Sequence, residues 1–249
     1  MDGSRWGQAA LRWAAEHAWR TSSELLVQTV GGGSDSGAAP GDHIDDAANK
    51  YPLLSIQVRG VRDPASALIL ASQESDWVVL GRRSDAQHGV GIGGAVLPVA
   101  NRARCDVIVV GGAPALIGGS SGLVTALWHG PEDMYVLRSA VQLASTRGAA
   151  LRIVRAVSVH GVRQLSTPSD EIYRAELDEA VNETRLWQPT LSVSAELVRA
   201  NPHEVVIRPG ATDVLVIGAE GRVGAVGRCA LFHSPAPVLI AHETVPTNW

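Results

Sequence analysis

The sequence is nearly free of lysine: Lys50 is the only lysine among 249 residues, and the other basic residues are arginines. P-loop nucleotide binding, a pyridoxal phosphate Schiff base and a lysine nucleophile each need a lysine in a particular sequence context. Lys50 lies in none of these contexts, so all three are excluded. A net charge of −4 leaves no basic surplus to neutralise phosphates, and nucleic acid is therefore not expected as a partner.

Cysteine is also scarce, with only Cys105 and Cys229. Two distant cysteines give neither a disulfide framework nor a metal-binding pair, so we expect reduced core thiols and a cytoplasmic protein. The start, Met1–Trp6, has no charged segment followed by an apolar one, and no signal peptide is expected. The longest apolar stretch, Val107–Gly119, contains Pro114 and is shorter than the roughly 20 residues of a membrane helix, so no membrane partner is expected.

What is present is a regular alternation of helical and strand patterns. Hydrophobic residues make up 45% of the chain and charged residues 18%, a composition typical of a folded core. Trp6–Arg20 has the apolar spacing of an amphipathic helix, with Ser4 placed to cap it. Val107–Val110 is a continuous apolar strand, as in parallel sheets that are buried on both faces. The pattern predicts an α/β fold with doubly wound, mostly parallel sheets.

The two halves of the chain repeat each other. Matching segments occur in the same order in both halves: Ala10–Val30 with Val136–Val157, Ser75–Ser84 with Thr212–Gly221, and Cys105–Val110 with Ala236–Ala241. Internal duplication of this kind predicts two tandem domains of one fold, residues 1–111 and 123–249. The segment 112–122, rich in glycine and serine, is predicted to be the linker.

Several of these segments resemble the universal stress protein family. They are Asp2-Gly3-Ser4 before an alanine-rich helix, DWVVLG followed by RRS, nine residues and Gly94, and the strand CDVIVV. The family has a V-D-G-S start, a G-x2-G-x9-G-[ST] loop and a closing C-P-V-x-V-V strand. The resemblance covers nearly the whole chain and implies a Rossmann-like, adenine nucleotide α-hydrolase-like fold. It also implies adenine nucleotide binding, a stress-response or signalling role, and no catalytic or metal-binding residues, with slow ATP hydrolysis left open.

The resemblance assigns a nucleotide site to the first half, with cofactor-binding residues Asp2, Val30, Gly81, Ser84, Gly93, Gly94, Ala95 and Val96. A loop between a parallel strand and a helix offers backbone N–H groups to an anion. Here Ser84 replaces a glycine and Ala95 replaces the hydroxyl residue, while Gly93 or Gly94 is the third glycine. We therefore expect weak ATP binding.

The loop of the first half also contains two arginines. Arg82 and Arg83 are interpreted as solvated surface charges, with pairing to phosphate as the alternative.

The second half departs further from the family pattern. Trp128-His129-Gly130 stands in place of the acidic start, and only two residues separate Gly221 from Gly224. We expect no nucleotide there.

Three rival motifs are weaker. Gly31–Ser36 resembles the pyrophosphate loop of ATP pyrophosphatases, but the glycines and proline that follow prevent the required helix, and we interpret it as a flexible loop. Gly118–Gly122 fits the G-x-S-x-G motif of hydrolases, but a strand follows instead of a helix. Gly89–Gly93 lacks the strand, turn and helix order of a dinucleotide-binding motif.

Two functional alternatives stay open at this point. One is a small-molecule enzyme that uses the Gly81–Gly94 loop for phosphoryl or adenylyl chemistry, although no paired carboxylates or nucleophile–base pair support it. The other is a purely structural pseudo-dimer that binds partner proteins. The eight histidines show no metal-ligand spacing, so no metal is expected.

The last strand of each half is expected at a sheet edge. Val107–Val110 and Val238–Ala241 are apolar, and exposed apolar edges invite pairing. We predict that they pair antiparallel in an intramolecular pseudo-dimer, with association of two chains left open. Trp6 and Trp13 share one face of the first helix, which we expect to cover the domain contact.

The first half differs from the second at its start. Leu123–Leu127 precedes Trp128 as a strand, whereas the first half begins at Asp2, where the equivalent strand should already have ended. Without this strand the two neighbouring strands have unmatched edges. Each buried N–H or C=O left without a partner destabilises the fold by about 1–3 kcal/mol. The expectation from sequence is a natural start roughly six to ten residues upstream, the length of one strand and its lead-in.

Overall fold

The structure, a computed structural model, describes residues 1–30, 40–83, 91–111, 122–158, 170–219 and 221–243. The helices are α1 Arg5–Thr21, α2 Pro40–Lys50, α3 Pro64–Ala71, α4 Val96–Arg102, α5 Met134–Arg147, α6 Asp170–Trp187, α7 Pro202–Ile207 and α8 Ala225–His233. The strands are β1 Leu25–Val30, β2 Ile56–Val61, β3 Trp77–Gly81, β4 Asp106–Val110, β5 Leu123–Leu127, β6 Ala150–Ala156, β7 Val193–Val198, β8 Val214–Gly218 and β9 Val238–Ala241. The predicted alternation of helices and strands is confirmed.

Local sequence signals explain where the helices begin and end. The Ser4 hydroxyl accepts a hydrogen bond from the Gly7 N–H at 3.1 Å and caps α1, as predicted. Asp63 caps α3 in the same way, with Pro64 at the first helical position, where a missing N–H does no harm. Gly148 ends α5 with φ of 63°, a left-handed conformation that glycine adopts without strain.

The second half forms one continuous parallel sheet. Its strand order is β9-β8-β5-β6-β7, and β5 lies in the centre, paired with β6 on one side and β8 on the other. The side chains from Val124 to Leu127 are fully buried because helices cover both faces of the sheet. This doubly wound arrangement brings the carboxyl ends of β5, β6 and β8 to one edge.

Among the described residues the first half has no strand equivalent to β5, and its sheet is split. β1 pairs with β2, and β3 pairs with β4, but β1 and β3 belong to different sheets. Within the described residues no strand lies between them, where β5 lies in the second half. The unmatched edges of β1 and β3 are the ones predicted from the sequence. The Val30 N–H donates to the Met1 carbonyl at 3.0 Å, so Met1 lies beside the carboxyl end of β1.

The two halves join through their last strands. β4 and β9 pair antiparallel, with Ile108 opposite Leu239, and this pairing creates the seven-stranded sheet. The prediction of an antiparallel edge pairing is therefore confirmed. Trp13 is 3% exposed, and the Arg147 guanidinium of the other half lies 5.6 Å from its ring centre, so Trp13 does cover the domain contact. Trp6 instead lies against the end of β3.

Several predictions fall outside the described residues. They concern the loop that begins at Gly31, most of the linker 112–122, the Gly89 motif and Ser84. Both cysteines are free, as predicted, but only Cys105 is a buried core thiol, whereas Cys229 is partly exposed. Burial raises the pKa of the Cys105 thiol to about 12, which keeps it protonated and unreactive.

Candidate functional site

The structure brings Asp2 and Val30 together at the carboxyl end of β1. Met1 connects them, since its carbonyl accepts the hydrogen bond from Val30. One carboxylate oxygen of Asp2 accepts a hydrogen bond from the Ser4 N–H at 3.0 Å, which orders the turn into α1. Asp2 is half-buried, and this turn holds its carboxylate beside the first residues of α1. A carboxylate in that place can accept hydrogen bonds from a ligand with its remaining lone pairs.

Gly81 joins this segment to the end of β3. A Cβ atom at Gly81 would lie 2.6 Å from the Trp6 carbonyl oxygen, so no other residue fits without a backbone shift. The first turn of α1 therefore packs directly on the carboxyl end of β3. This close approach places Asp2 and the loop that begins at Gly81 at the same edge of the first half.

The turn before α4 has one closed side and one open side. The Gly93 N–H donates to the Arg82 carbonyl at 2.7 Å, and the Val96 N–H donates to the Gly93 carbonyl at 3.0 Å. Val96 is 1% exposed and is part of the hydrophobic core. Gly94 faces open space, and Ala95 caps α4 without a side-chain hydrogen bond. Among the described residues none accepts a hydrogen bond from the N–H of Gly94 or Ala95, so these two amides can bind an anion.

Arg82 is buried, and its interpretation as a solvated charge is wrong. It is 7% exposed, and its guanidinium donates to the Ser234 carbonyl in the other half of the chain. Burial, with Arg83 adding repulsion, lowers the pKa of Arg82 to about 10, so it stays charged at neutral pH. A Cβ at Gly111 would lie 2.2 Å from this guanidinium, so glycine leaves the space that Arg82 fills. Arg82 therefore joins the halves, and its side chain points away from the open side of the turn.

The equivalent edge of the second half is filled by side chains. Trp128, which replaces the acidic residue, is 1% exposed. The Arg155 guanidinium lies 5.5 Å from the centre of the Trp128 ring and 4.3 Å from that of Tyr173. Arg155 also forms an ion pair with Glu176. The two rings and the paired Arg155 guanidinium occupy the space beside β5 and β6.

His129 is exposed, and its ring contacts the carboxylate of the turn that follows it. Its ring Nδ1 lies 3.0 Å from a carboxylate oxygen of Asp133, and its backbone N–H donates to the same oxygen at 3.2 Å. Asp133 is 5% exposed and ends a short 3-10 turn before α5. The imidazole and carboxylate satisfy each other within this turn.

Sequence reasoning missed the two arginines that shape these edges. Arg155 had a weak signal, because a charged residue within a buried strand usually has a partner. Arg82 had none, since Ser234 is 152 positions away in the sequence. In the part of the chain that the structure describes, no group of three potential metal ligands occurs, and no helix has the length and apolarity to cross a membrane.

Solved structures share this architecture from end to end. A universal stress protein from Archaeoglobus fulgidus superposes with a TM-score of 0.65 and 14% identity, covering 97% of this chain and 94% of its own. The fold is that of a universal stress protein. A protein of unknown function from Pseudomonas aeruginosa also matches, with a TM-score of 0.62 and 16% identity over 94% of this chain and 87% of its own. No model of a known protein family matches the sequence, and no curated protein matches it.

The fold comparison bears on the two sheet edges described above, the one that holds Asp2 and the one that holds Trp128. The predicted α/β class with doubly wound, mostly parallel sheets is confirmed. Both edges lie at the carboxyl ends of parallel strands, where ligands of open α/β sheets bind. The first half has the carboxylate of Asp2 at this edge, whereas in the second half Trp128, Arg155 and Tyr173 fill the matching place beside β5 and β6.

Proposed function

We propose that this chain is a tandem universal stress protein, a non-catalytic stress-response and signalling module that binds one adenine nucleotide weakly in its first half. The observation that carries the proposal is the contrast between the two halves. Among the described residues of the first half, none accepts a hydrogen bond from the amides of Gly94 and Ala95, and Asp2 lies at the same edge. In the second half the place of Asp2 is taken by Trp128, which is 1% exposed. Nucleotide binding would then be a property of one half only.

The turn before α4 supports binding of the phosphates. Among the described residues none accepts a hydrogen bond from the N–H groups of Gly94 and Ala95, and a Cβ at Gly94 would meet no atom within 4 Å. An anion there would accept two hydrogen bonds from backbone that is already in place. Asp2 lies at the same edge through the contact of Trp6 with Gly81, which suits it to the ribose hydroxyls.

Three features argue for weak affinity. Ala95 has no hydroxyl to donate to a phosphate oxygen. α4 is only seven residues long and contributes a small dipole. The guanidinium of Arg82, which directly follows Gly81, donates to the Ser234 carbonyl instead of to a phosphate. Each missing hydrogen bond to a charged group weakens binding by about 1.5–3 kcal/mol, which is roughly one to two decades in affinity.

The proposal assigns no catalytic step to the chain and places it in the cytoplasm, where free thiols such as Cys105 stay reduced. Phosphoryl or adenylyl transfer is the alternative that the same site would allow. After incubation of the protein with ATP, chromatography should recover ATP unchanged. Turnover in excess of the protein concentration would support the enzyme instead.

Calorimetric titration with ATP tests the binding itself. We expect one site per chain, lost in Gly94→Asp, because a carboxylate in this open position repels the phosphates. Gly224→Asp is the matched control: Gly224 precedes α8 in the second half, also faces open space, and is a position where aspartate caps a helix well. Two sites per chain, equal losses in the two variants or no binding at all would each contradict the proposal.

A further inference from the structure

A cavity lies between α1 and α2 in the first half. Its volume is about 170 Å³. From α1 it is lined by Gln8, Leu11 and Arg12, which follow helical spacing along one face. Gln8 also donates to the Gly3 carbonyl at 3.2 Å, in the turn that holds Asp2, whereas Leu11 and Arg12 are not among the residues of the proposed nucleotide site.

Two cations stand at the rim without acidic partners. The exposed Arg12 and Lys50 belong to different helices and both line the cavity. Among the described residues neither forms an ion pair, and the Lys50 ammonium only lies 5.2 Å from the ring centre of Tyr51. Asp46 also lines the rim, so the local balance is one net positive charge in a protein of net charge −4.

The floor of the cavity is apolar. Leu11, Ala47 and Tyr51 are each less than a tenth exposed and belong to a small hydrophobic core between α1, α2 and the first two strands. His43 also lines the cavity, and its buried Nε2 atom has no hydrogen-bond partner among the residues that the structure describes. An apolar floor with convergent polar groups above it is the usual composition of a small-molecule site.

We propose that this cavity binds a small organic carboxylate whose apolar body rests on Leu11 and Tyr51 and whose carboxylate meets Arg12 and Lys50. The planar guanidinium of Arg12 matches a carboxylate in geometry. Asp46 on the same rim opposes a second negative charge, which favours a monoanion over a phosphate dianion. The volume is below the roughly 300–1,000 Å³ of drug-sized pockets, so the ligand is about the size of benzoate.

NMR titration of the full chain with benzoate tests this proposal. We expect amide shifts confined to α1 and α2, with affinity reduced roughly tenfold or more in Arg12→Gln, since one charge-assisted hydrogen bond is lost. Ala47→Leu should abolish binding with all charges intact, because the added methyl groups fill the floor. Arg20→Gln is the control, since Arg20 lies on the same helix but is paired with Glu16 at 2.9 Å, outside the cavity.

Two further ligands test separately the role of the carboxylate and the role of the apolar body. Acetate has the charge without the apolar body, and benzylamine has the ring with the opposite charge, so both should bind much more weakly than benzoate. Equal weakening in Arg20→Gln, binding of inorganic phosphate in preference to benzoate, or no shifts in α1 and α2 would each overturn it. The ATP titration with Gly94→Asp is independent, so failure of either proposal leaves the other standing.

Discussion

The guanidinium of Arg82, the residue after Gly81 at the end of β3, donates a hydrogen bond to the backbone carbonyl of Ser234, just before β9 in the second half. The Arg82 N–H also donates to the Val110 carbonyl at 2.8 Å, at the end of β4. One residue thus joins the candidate nucleotide turn, the last strand of the first half and the segment that leads into its antiparallel partner.

Removing this arginine should loosen the contact between the halves. Arg82→Ala leaves the Ser234 carbonyl buried without a donor and opens a space beside Gly111, and we expect a loss of about 2 kcal/mol in the free energy of unfolding. Denaturant unfolding measures it. Arg62→Ala, at an exposed position, should stay within about 0.5 kcal/mol of the wild type. If the two variants are equally stable, Arg82 does not hold the halves together.

Gly81 should tolerate no side chain. Its Cβ would lie 2.6 Å from backbone of α1, which cannot move aside as a flexible side chain could, so Gly81→Ala is expected to destabilise by about 1–3 kcal/mol. Gly60→Ala is the matched change, because no atom lies within 4 Å of that Cβ. Thermal unfolding compares the pair. Equal midpoints would mean that α1 does not pack on β3 as described.

His17 should make stability depend on pH. The imidazole contacts the rings of Trp13 and Trp77, with centroid distances of 5.1 Å and 4.8 Å, and within the described part of the chain neither ring nitrogen has a hydrogen-bond partner. Burial, with Arg147 and Arg20 adding repulsion, lowers the pKa of His17 to about 4. The unfolded chain therefore binds a proton that the folded chain does not between about pH 6.5 and pH 4.

Because the unfolded chain binds this proton more tightly, the free energy of unfolding decreases as the pH falls. The stability contributed by neutral His17 is complete above pH 6.5 and decreases as the pH falls towards 4, by about 3 kcal/mol at most. Burial raises the pKa of Asp106, which acts in the opposite direction, so variants must be compared. His17→Phe should flatten the dependence in urea unfolding between pH 7.5 and 4.5, whereas His203→Gln, exposed on α7, should not. Equal slopes in wild type and His17→Phe would contradict the assignment.

The split sheet should close when a strand is supplied. The Trp128 N–H donates to the Val154 carbonyl at 2.9 Å, and the Met1 amino group donates to the Gln28 carbonyl in the same way. A chain with the sequence of Leu123–Leu127 placed directly before Met1 should therefore run between β1 and β3. We expect stabilisation by at least about 2 kcal/mol, since unpaired buried backbone groups each cost about 1–3 kcal/mol.

The control for this extension carries aspartate at its two central positions. Their equivalents, Thr125 and Ala126, are fully buried in the second half, so charges there should prevent insertion. Denaturant midpoints of the two extended chains and the wild type give the comparison. Equal midpoints for both extensions would show that no strand enters between β1 and β3.

Local signals made most of the fold predictable from sequence. The amphipathic pattern of Trp6–Arg20 predicted α1 to within one residue at each end, and Gly148 ends α5 in the left-handed conformation that glycine favours. The pairing of β4 with β9 followed from two apolar edge strands in a repeated fold. Hydrophobic periodicity and the residues that cap or end helices are local features of the chain, so a single sequence is enough to show them.

The candidate site was less predictable because its geometry depends on distant contacts. Val96 follows the glycines in sequence, but its side chain packs in the core and its amide closes the turn. Arg155 meets Trp128 and Tyr173 only after β5, β6 and α6 have packed together. No local pattern states which side chain will fill an edge and which will leave it open.

The most direct test of the account is calorimetric titration of ATP into the wild type and into the double variant Ser84→Gly, Ala95→Ser. The account predicts one weak site in the wild type and tighter binding by roughly two to four decades in the double variant, because two contacts of about 1.5–3 kcal/mol each are restored. Tight binding already present in the wild type and unchanged by Gly94→Asp would contradict it.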